Sequence, residues 1–476
     1  MASKNISFDS IPSSIRKPGK YFEFNTKLAV RTLPANKQRM LIIAQRLSGG
    51  SVSALVATQV FSDAEAAAYF GAGSIAHLMV RAAIKANPYL DLSVCALNDS
   101  DTAPVARVHT LTITGPATAS GVLTLYVGNV RYQIGVAAED TAANIATALK
   151  AALDNDPSLP FTVAQTPDSG ELIFTAKNKG TVANQIDFEV AATAAGVGAT
   201  FADTTPGDVD PDITAALSAI YAEQYDIIAC PFIDAVSLAA LKSHLDSVSG
   251  PMEQRPGVGV YGYDGLLADC TTLAGTVNSG LIMSPYLRGT RCPAFEIAAA
   301  VAAVMAFEED PARPLNTLAL PGIAAPPISA RFSRTEQETL LYNGVTPLEV
   351  GPGEVVQIVR AVSTYIHDPQ GIDDISLLDI TTIRTLNYVR KAVRERIALR
   401  FPREKLSSKT PEKVRDQILD VLYKLEELEI VEEVTANEDG VICERDLQDP
   451  NRLNAKIPVD VVNGLHVFAG RIDLLL

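Results

Sequence analysis

The chain has 476 residues, 47% hydrophobic and 20% charged, which suits roughly three globular domains of ~100–200 residues each. A formal net charge of −15 and a pI near 4.9 argue against general nucleic-acid binding, which needs a basic field against phosphate. Five scattered cysteines (Cys95, Cys230, Cys270, Cys292, Cys443) form no CxxC pair, so buried reduced thiols are expected rather than a disulfide framework.

Residues 1–20 read as an extended arm: Ile6, Phe8 and Ile11 are apolar, but Pro12 and Lys17-Pro18-Gly19 break any compact unit. No apolar core of a signal peptide opens the chain, and the longest apolar run, Ile297 to Phe307, is shorter than the ~20 residues that span a bilayer. Neither export nor membrane insertion is therefore expected. Strand-like runs follow at Tyr21–Phe24 and Met40–Ala44, and Ser62-Asp63-Ala64-Glu65 has the spacing of a capping box. A helix from Ser74 to about Ala86 and a strand over Leu92–Ala96 complete this block.

Near Asp99 small polar residues and threonine take over. Val122–Val127, Gly128-Asn129 and Val130–Ile134 spell a hairpin, and a helix over Thr141–Asp154 and short strands follow. Residues 101–205 are expected to form a self-contained α+β surface domain that ends at Thr204-Thr205-Pro206-Gly207. From Asp212 helices alternate with continuous apolar strands (Asp226–Cys230, Val258–Tyr261, Leu281–Met283), the pattern of a parallel sheet covered on both faces. Residues 21–100 and 206–328 are thus expected to form one discontinuous α/β core, with 101–205 inserted in a loop.

Catalytic signatures are sparse. Gly257, Gly259 and Gly262 match GxGxxG, but they sit within a predicted strand and lack the acidic residue ~20 positions on. No Walker A loop, HExxH or GxSxG occurs, and the histidines (His77, His109, His244, His367, His466) belong to different predicted elements. Cys292 precedes a helix, where a dipole can stabilise a thiolate, yet Pro293 at the first helical position favours a structural role. No enzyme activity, metal or cofactor is expected.

The last hundred residues differ in kind. A basic helix runs to Arg400, with Ile383, Leu386, Val389, Val393 and Ile397 as its apolar stripe. Arg384, Lys391 and Arg394 cluster on one flank of that stripe, and Arg396, Arg400 and Arg403 lie on the other. A second helix follows, with Thr410 as its expected N-cap and Val414, Ile418, Val421, Leu422 and Leu425 inward. In the closing strand Phe468, Ile472, Leu474 and Leu476 share one face, while Val467, Ala469, Arg471 and Asp473 share the other.

Cys292-Pro293-Ala294-Phe295-Glu296, Asp310-Pro311-Ala312-Arg313-Pro314, Gln357–Tyr365, Leu378–Arg390 and Phe401-Pro402-Arg403-Glu404 resemble the tail sheath proteins of contractile-tailed, Mu-like phages. Ile6-Ser7-Phe8 and Ile11–Gly19 fit the same pattern, so the resemblance covers nearly the whole chain and is loosest over 101–205. It implies an α/β and α+β multidomain protein: a subtilisin-like α/β core without a catalytic triad, the inserted α+β domain, and an α+β C-terminal domain over 329–464 that faces the tube. It also implies an N-terminal arm (1–20) and a C-terminal arm strand (465–476) that add to sheets of neighbouring subunits through Ile6, Phe8, Ile11, Phe468, Ile472, Leu474 and Leu476. Arg384, Lys391 and Arg394 would then face the tube. The partners so implied are further copies of the chain in stacked hexamers, the tail tube protein, and baseplate and tail terminator proteins. Direct nucleic-acid contact and membrane insertion are not among them. The product would be a virion tail assembled in the host cytoplasm. The competing reading is an α/β hydrolase or a ligand-binding protein on the same core, which requires a pocket with convergent polar groups.

Overall fold

The computed structural model describes residues 16–22 and 33–475. They form two compact units. The larger holds 36–388, 429–432 and 460–475, and the smaller holds 389–428 and 433–459 with the described residues before 36.

The larger unit is organised on a six-stranded sheet in the order Ile282–Met283, Val258–Tyr261, Ile227–Cys230, Arg39–Gln45, Asp91–Leu97, Ala57–Gln59. Only the edge strand Ala57–Gln59 runs antiparallel. Met40 to Ala44 expose no surface. Helices Ile75–Ala86 and Ala294–Phe307 pack on each other and on this sheet, and Ala235–Ser249 packs on Val258–Tyr261. Between Ala294 and Met305 only Glu296 escapes burial, because a helix apolar all round has no face to offer water. The glycines of the GxGxxG match serve close packing. A Cβ at Gly262 would lie 2.0 Å from the Ala294 carbonyl oxygen, and one at Gly259 would lie 2.9 Å from the Leu245 side chain.

The sheet takes strands from both sides of the 101–205 stretch. Within that stretch a four-stranded sheet runs Gly198–Thr205, Val108–Thr114, Glu171–Ala176, Phe161–Gln165, and a three-stranded one runs Val130–Val136, Gly121–Val127, Phe188–Ala192. Thr141 caps helix Ala142–Asp154 by accepting from the Asn144 amide, and Gly128 turns the hairpin at φ 53°. Sequence patterning missed Val108–Thr114 and Gly198–Thr205, whose alternating threonines gain strand character by pairing with each other (Thr200 opposite Thr112). The insertion is also less independent than expected. Its apolar residues join the core of the parallel sheet in one cluster. Gln45 Nε2 donates to Lys179 O at 2.6 Å, Gln185 Nε2 to Pro231 O at 3.2 Å, and Arg291 pairs with Glu189 at 2.6 Å.

A second difference concerns the boundary expected at 329. Residues 329–388 count with the larger unit, because Thr346–Gly351 pairs in parallel with Pro285–Tyr286 and in antiparallel with Val355–Ile358. Thr346 Oγ1 donates to Val362 O (2.9 Å), and the Ser279 amide donates to Thr364 Oγ1 (3.0 Å), tying the segment to the core.

In the smaller unit, helix Thr410–Glu427 buries Val414, Ile418, Val421, Leu422 and Leu425 as expected, together with Leu419. Its N-cap is Lys409. Thr410 is the first helical residue and accepts instead from the Ser407 amide at 2.9 Å. Arg415 donates to Val441 O and Glu438 O, both at 2.8 Å, and so holds the hairpin Ile442–Arg445/Leu453–Lys456 beside this helix. Among the described residues no helix is long and apolar enough to cross a membrane.

Candidate interaction surfaces

The basic helix spans Ile380–Arg400, and its burial corrects the expected stripe. The deeply buried positions are Ile380, Thr381, Arg384, Thr385, Tyr388, Val389, Ala392 and Arg396, whereas Ile383, Leu386, Val393 and Ile397 are only half-buried. Two arginines therefore lie on the inner face. Arg384 is 7% exposed, and its Nη2 donates to the Glu308 carbonyl at 2.6 Å. Burial pulls its guanidinium down to about 10, against the attraction of Glu308 and Asp310. Arg396 is buried in an ion pair with Asp420.

Arg384 is thus not available to a tube, and Arg396 is not available to a neighbouring subunit, because each is consumed by a partner distant in sequence. Lys391 is half-buried and donates to Ala35 O at 2.9 Å, and Arg394 is exposed. Of the three residues expected to act together, only Arg394 is exposed. The exposed basic residues continue past the helix, at Arg403, Lys405 and Lys409. The signal for them was the run that persists beyond the helix-ending Pro402.

The segment from 462 to 475 has no strand partner among the described residues, and every side chain from Val467 to Leu475 is exposed. Phe468 is 87%, Ile472 97% and Leu474 83% exposed. Ile6, Phe8, Ile11 and Leu476 lie outside the described residues. Of the N-terminal stretch, Phe22 is exposed, and the Tyr21 hydroxyl donates to Lys17 O at 3.0 Å.

A candidate for chemistry in the larger unit is a cavity of about 270 Å³ lined by Leu78, Arg81, Lys85, Val127, Pro160 and Glu296 among others. Burial pushes the Glu296 carboxyl up to about 6, opposed by Arg81, which lies 4.0 Å away. No serine, cysteine or histidine lines it, so the Ser–His and Cys–His arrangements of nucleophile and base are not built there. Cys292 is buried, with its thiol pushed up to about 12 by burial and its Sγ accepting from the Ala324 amide at 3.2 Å. It is a packing thiol. His77 and His109 are likewise occupied, by Asp63 at 3.0 Å and Asp203 at 2.5 Å. Among the described residues no cluster of three or more His, Cys, Asp or Glu is placed to hold a metal.

The family model for the phage tail sheath protein central domain matches residues 207–364, and that for the phage tail sheath C-terminal domain matches 373–474. The Mu-like prophage FluMu tail sheath protein of Haemophilus influenzae is 32% identical over 490 aligned positions, covering 99% of this chain and all of that protein. Two crystal structures share the fold at low identity. The sheath tail protein of Desulfitobacterium hafniense (12% identical, TM-score 0.52) is matched over 94% of this chain and 97% of its own. That of Listeria innocua (13% identical, TM-score 0.51) is matched over 91% and 94%.

Proposed function

We propose the following working mode from the premise that this chain belongs to the phage tail sheath family: it is a sheath subunit that polymerises around a tail tube and contracts to drive the tube through the host envelope. The subunits stack as hexameric rings, meeting baseplate and tail terminator proteins at the ends, in a virion tail assembled in the host cytoplasm. The observation that carries the mode of joining is the apolar segment after His466, exposed and without a sheet partner among the described residues. An extended segment of alternating character gains backbone hydrogen bonds and buries one row of side chains when it adds to another subunit's sheet edge. Single-chain solvation leaves Phe468, Ile472 and Leu474 in water, a cost that only a partner removes.

The parallel sheet with helices along it supports the subtilisin-like reading of the core, and a cavity lined by no serine, cysteine or histidine weighs against a serine- or cysteine-hydrolase site. In this reading 101–205 is the outward surface domain. The tube contact belongs to the smaller unit, through Arg394, Arg403, Lys405 and Lys409 in place of the expected Arg384. Exposed pairs contribute under ~1 kcal/mol each and are screened by salt, which suits a grip that must let go. Negative-stain microscopy of the purified protein tests the reading: long hollow tubes support it, and a monodisperse monomer at every concentration and salt tried refutes it.

A further inference from the structure

We propose that His466 is the positioning residue that fixes where the C-terminal arm leaves the subunit and links that point to the start of the basic helix. The inference rests on the strand-addition reading above. His466 is the last residue of the described chain that is not exposed. Its side chain is 15% exposed, whereas its neighbours Leu465 and Val467 are 80% and 78% exposed. One ring is planted in the subunit, and every described residue after it is exposed.

The socket is built from three parts of the larger unit. Asn316 Nδ2 donates to His466 Nδ1 at 2.9 Å. On the other side of the ring, Nε2 lies 3.6 Å from Asp379 Oδ1. Asp379 is itself held by two bonds from Arg360, at 2.9 and 2.7 Å, so it is a fixed post. The His466 amide donates to Gly464 O at 2.9 Å, which curls the chain into the site, and a Cβ at Gly464 would lie 2.6 Å from the Pro314 ring. The ring is thus engaged at one nitrogen and faces a carboxylate at the other, with Arg360 and Asp379 as the charged groups around it. Burial and Arg360 hold its pKa below the ordinary imidazole value, against Asp379, so the neutral ring accepts from Asn316.

Asp379 bridges Val362 and directly precedes helix Ile380–Arg400. A pull on the arm by a neighbouring subunit therefore reaches His466 first and passes through Asp379 to the first turn of that helix. Without the ring, the load falls on the Gly464 turn and the arm leaves at variable angles.

The test uses the full chain as unassembled subunit, with H466A, N316A and H466N variants, read by hydrogen exchange and then by microscopy of tubes. Losing one hydrogen bond should speed exchange about 2- to 10-fold at 464–467 and at 377–382 in H466A and N316A. H466N, whose amide can take the place of Nδ1, should recover part of that loss. Tubes of H466A should form with a broader spread of diameters. Unchanged exchange at either stretch in both alanine variants overturns the proposal. Should H466A fail to fold, N316A and H466N carry the same comparison. Tubes that persist after deletion of 467–476 would instead refute strand addition itself, an outcome distinct from any exchange result.

Discussion

Ile472 is 97% exposed in the subunit, so replacing it with aspartate removes no internal contact and should leave subunit stability within ~0.5 kcal/mol. Its burial in a neighbour is another matter. Fully burying one such side chain contributes roughly 1.5–3 kcal/mol, which is about a 10- to 150-fold change in the constant for each arm junction. The aspartate adds the cost of desolvating a charge, so the upper end applies. The variant should therefore fold with an unchanged urea midpoint while its critical concentration for tubes, measured by sedimentation, rises at least ~10-fold. R471A, on the opposite face of the extended segment, should shift it by much less. Deleting 467–476 is the limiting case, with Phe468, Ile472 and Leu474 all lost and no tubes formed. An I472D protein that assembles at the wild-type concentration, or one whose urea midpoint falls, would refute the reasoning. The first result means no partner buries the residue, and the second means the subunit itself does.

R384E should destabilise the subunit by about 3–5 kcal/mol in urea unfolding, since it leaves a carboxylate buried opposite the Glu308 carbonyl. Combined reversal of Arg403, Lys405 and Lys409 to glutamate should weaken co-sedimentation with tail tubes in a salt-dependent way while tube-free polymers still form; loss of both would move these residues to a sheath–sheath contact. Glu296 has a folded pKa raised to about 6 from 4.5, so the folded state binds the proton more tightly. Its contribution is full below pH 4.5 and is lost as pH rises through 6. E296Q should accordingly stabilise the subunit by about 1–2 kcal/mol at pH 7 and by nothing at pH 4, as read from urea midpoints at the two pH values.

Much of the architecture was legible because it depends on local composition. Unbroken apolar runs such as Met40–Ala44, the all-round apolar helix Ala294–Phe307 and the Gly128-Asn129 turn each have one low-energy solution, and the structure adopts it. The apolar stripe of Thr410–Glu427 was equally plain, since its buried face is made wholly of aliphatic side chains apart from Thr410. Of the five cysteines expected to be buried, Cys95, Cys230, Cys270 and Cys292 are, whereas Cys443 is only half-buried.

Helix Ile380–Arg400 marks where that reasoning stops. Hydrophobic periodicity assigns arginine to water, because desolvating a guanidinium is costly unless partners are supplied. The partners here are the Glu308 carbonyl, 76 positions from Arg384, and Asp420, 24 positions from Arg396. Only the folded chain brings them within reach, and once they are there the inner face of the helix turns away from the one its apolar residues predict. The same holds for residues 329–388, drawn into the larger unit by the pairing of Thr346 with Pro285, and for His466, whose socket joins Asn316 and Asp379. Composition and period determined which segments are helix, strand and arm; long-range polar pairing, invisible to a local window, decided which side each presents and which charges are left for a partner.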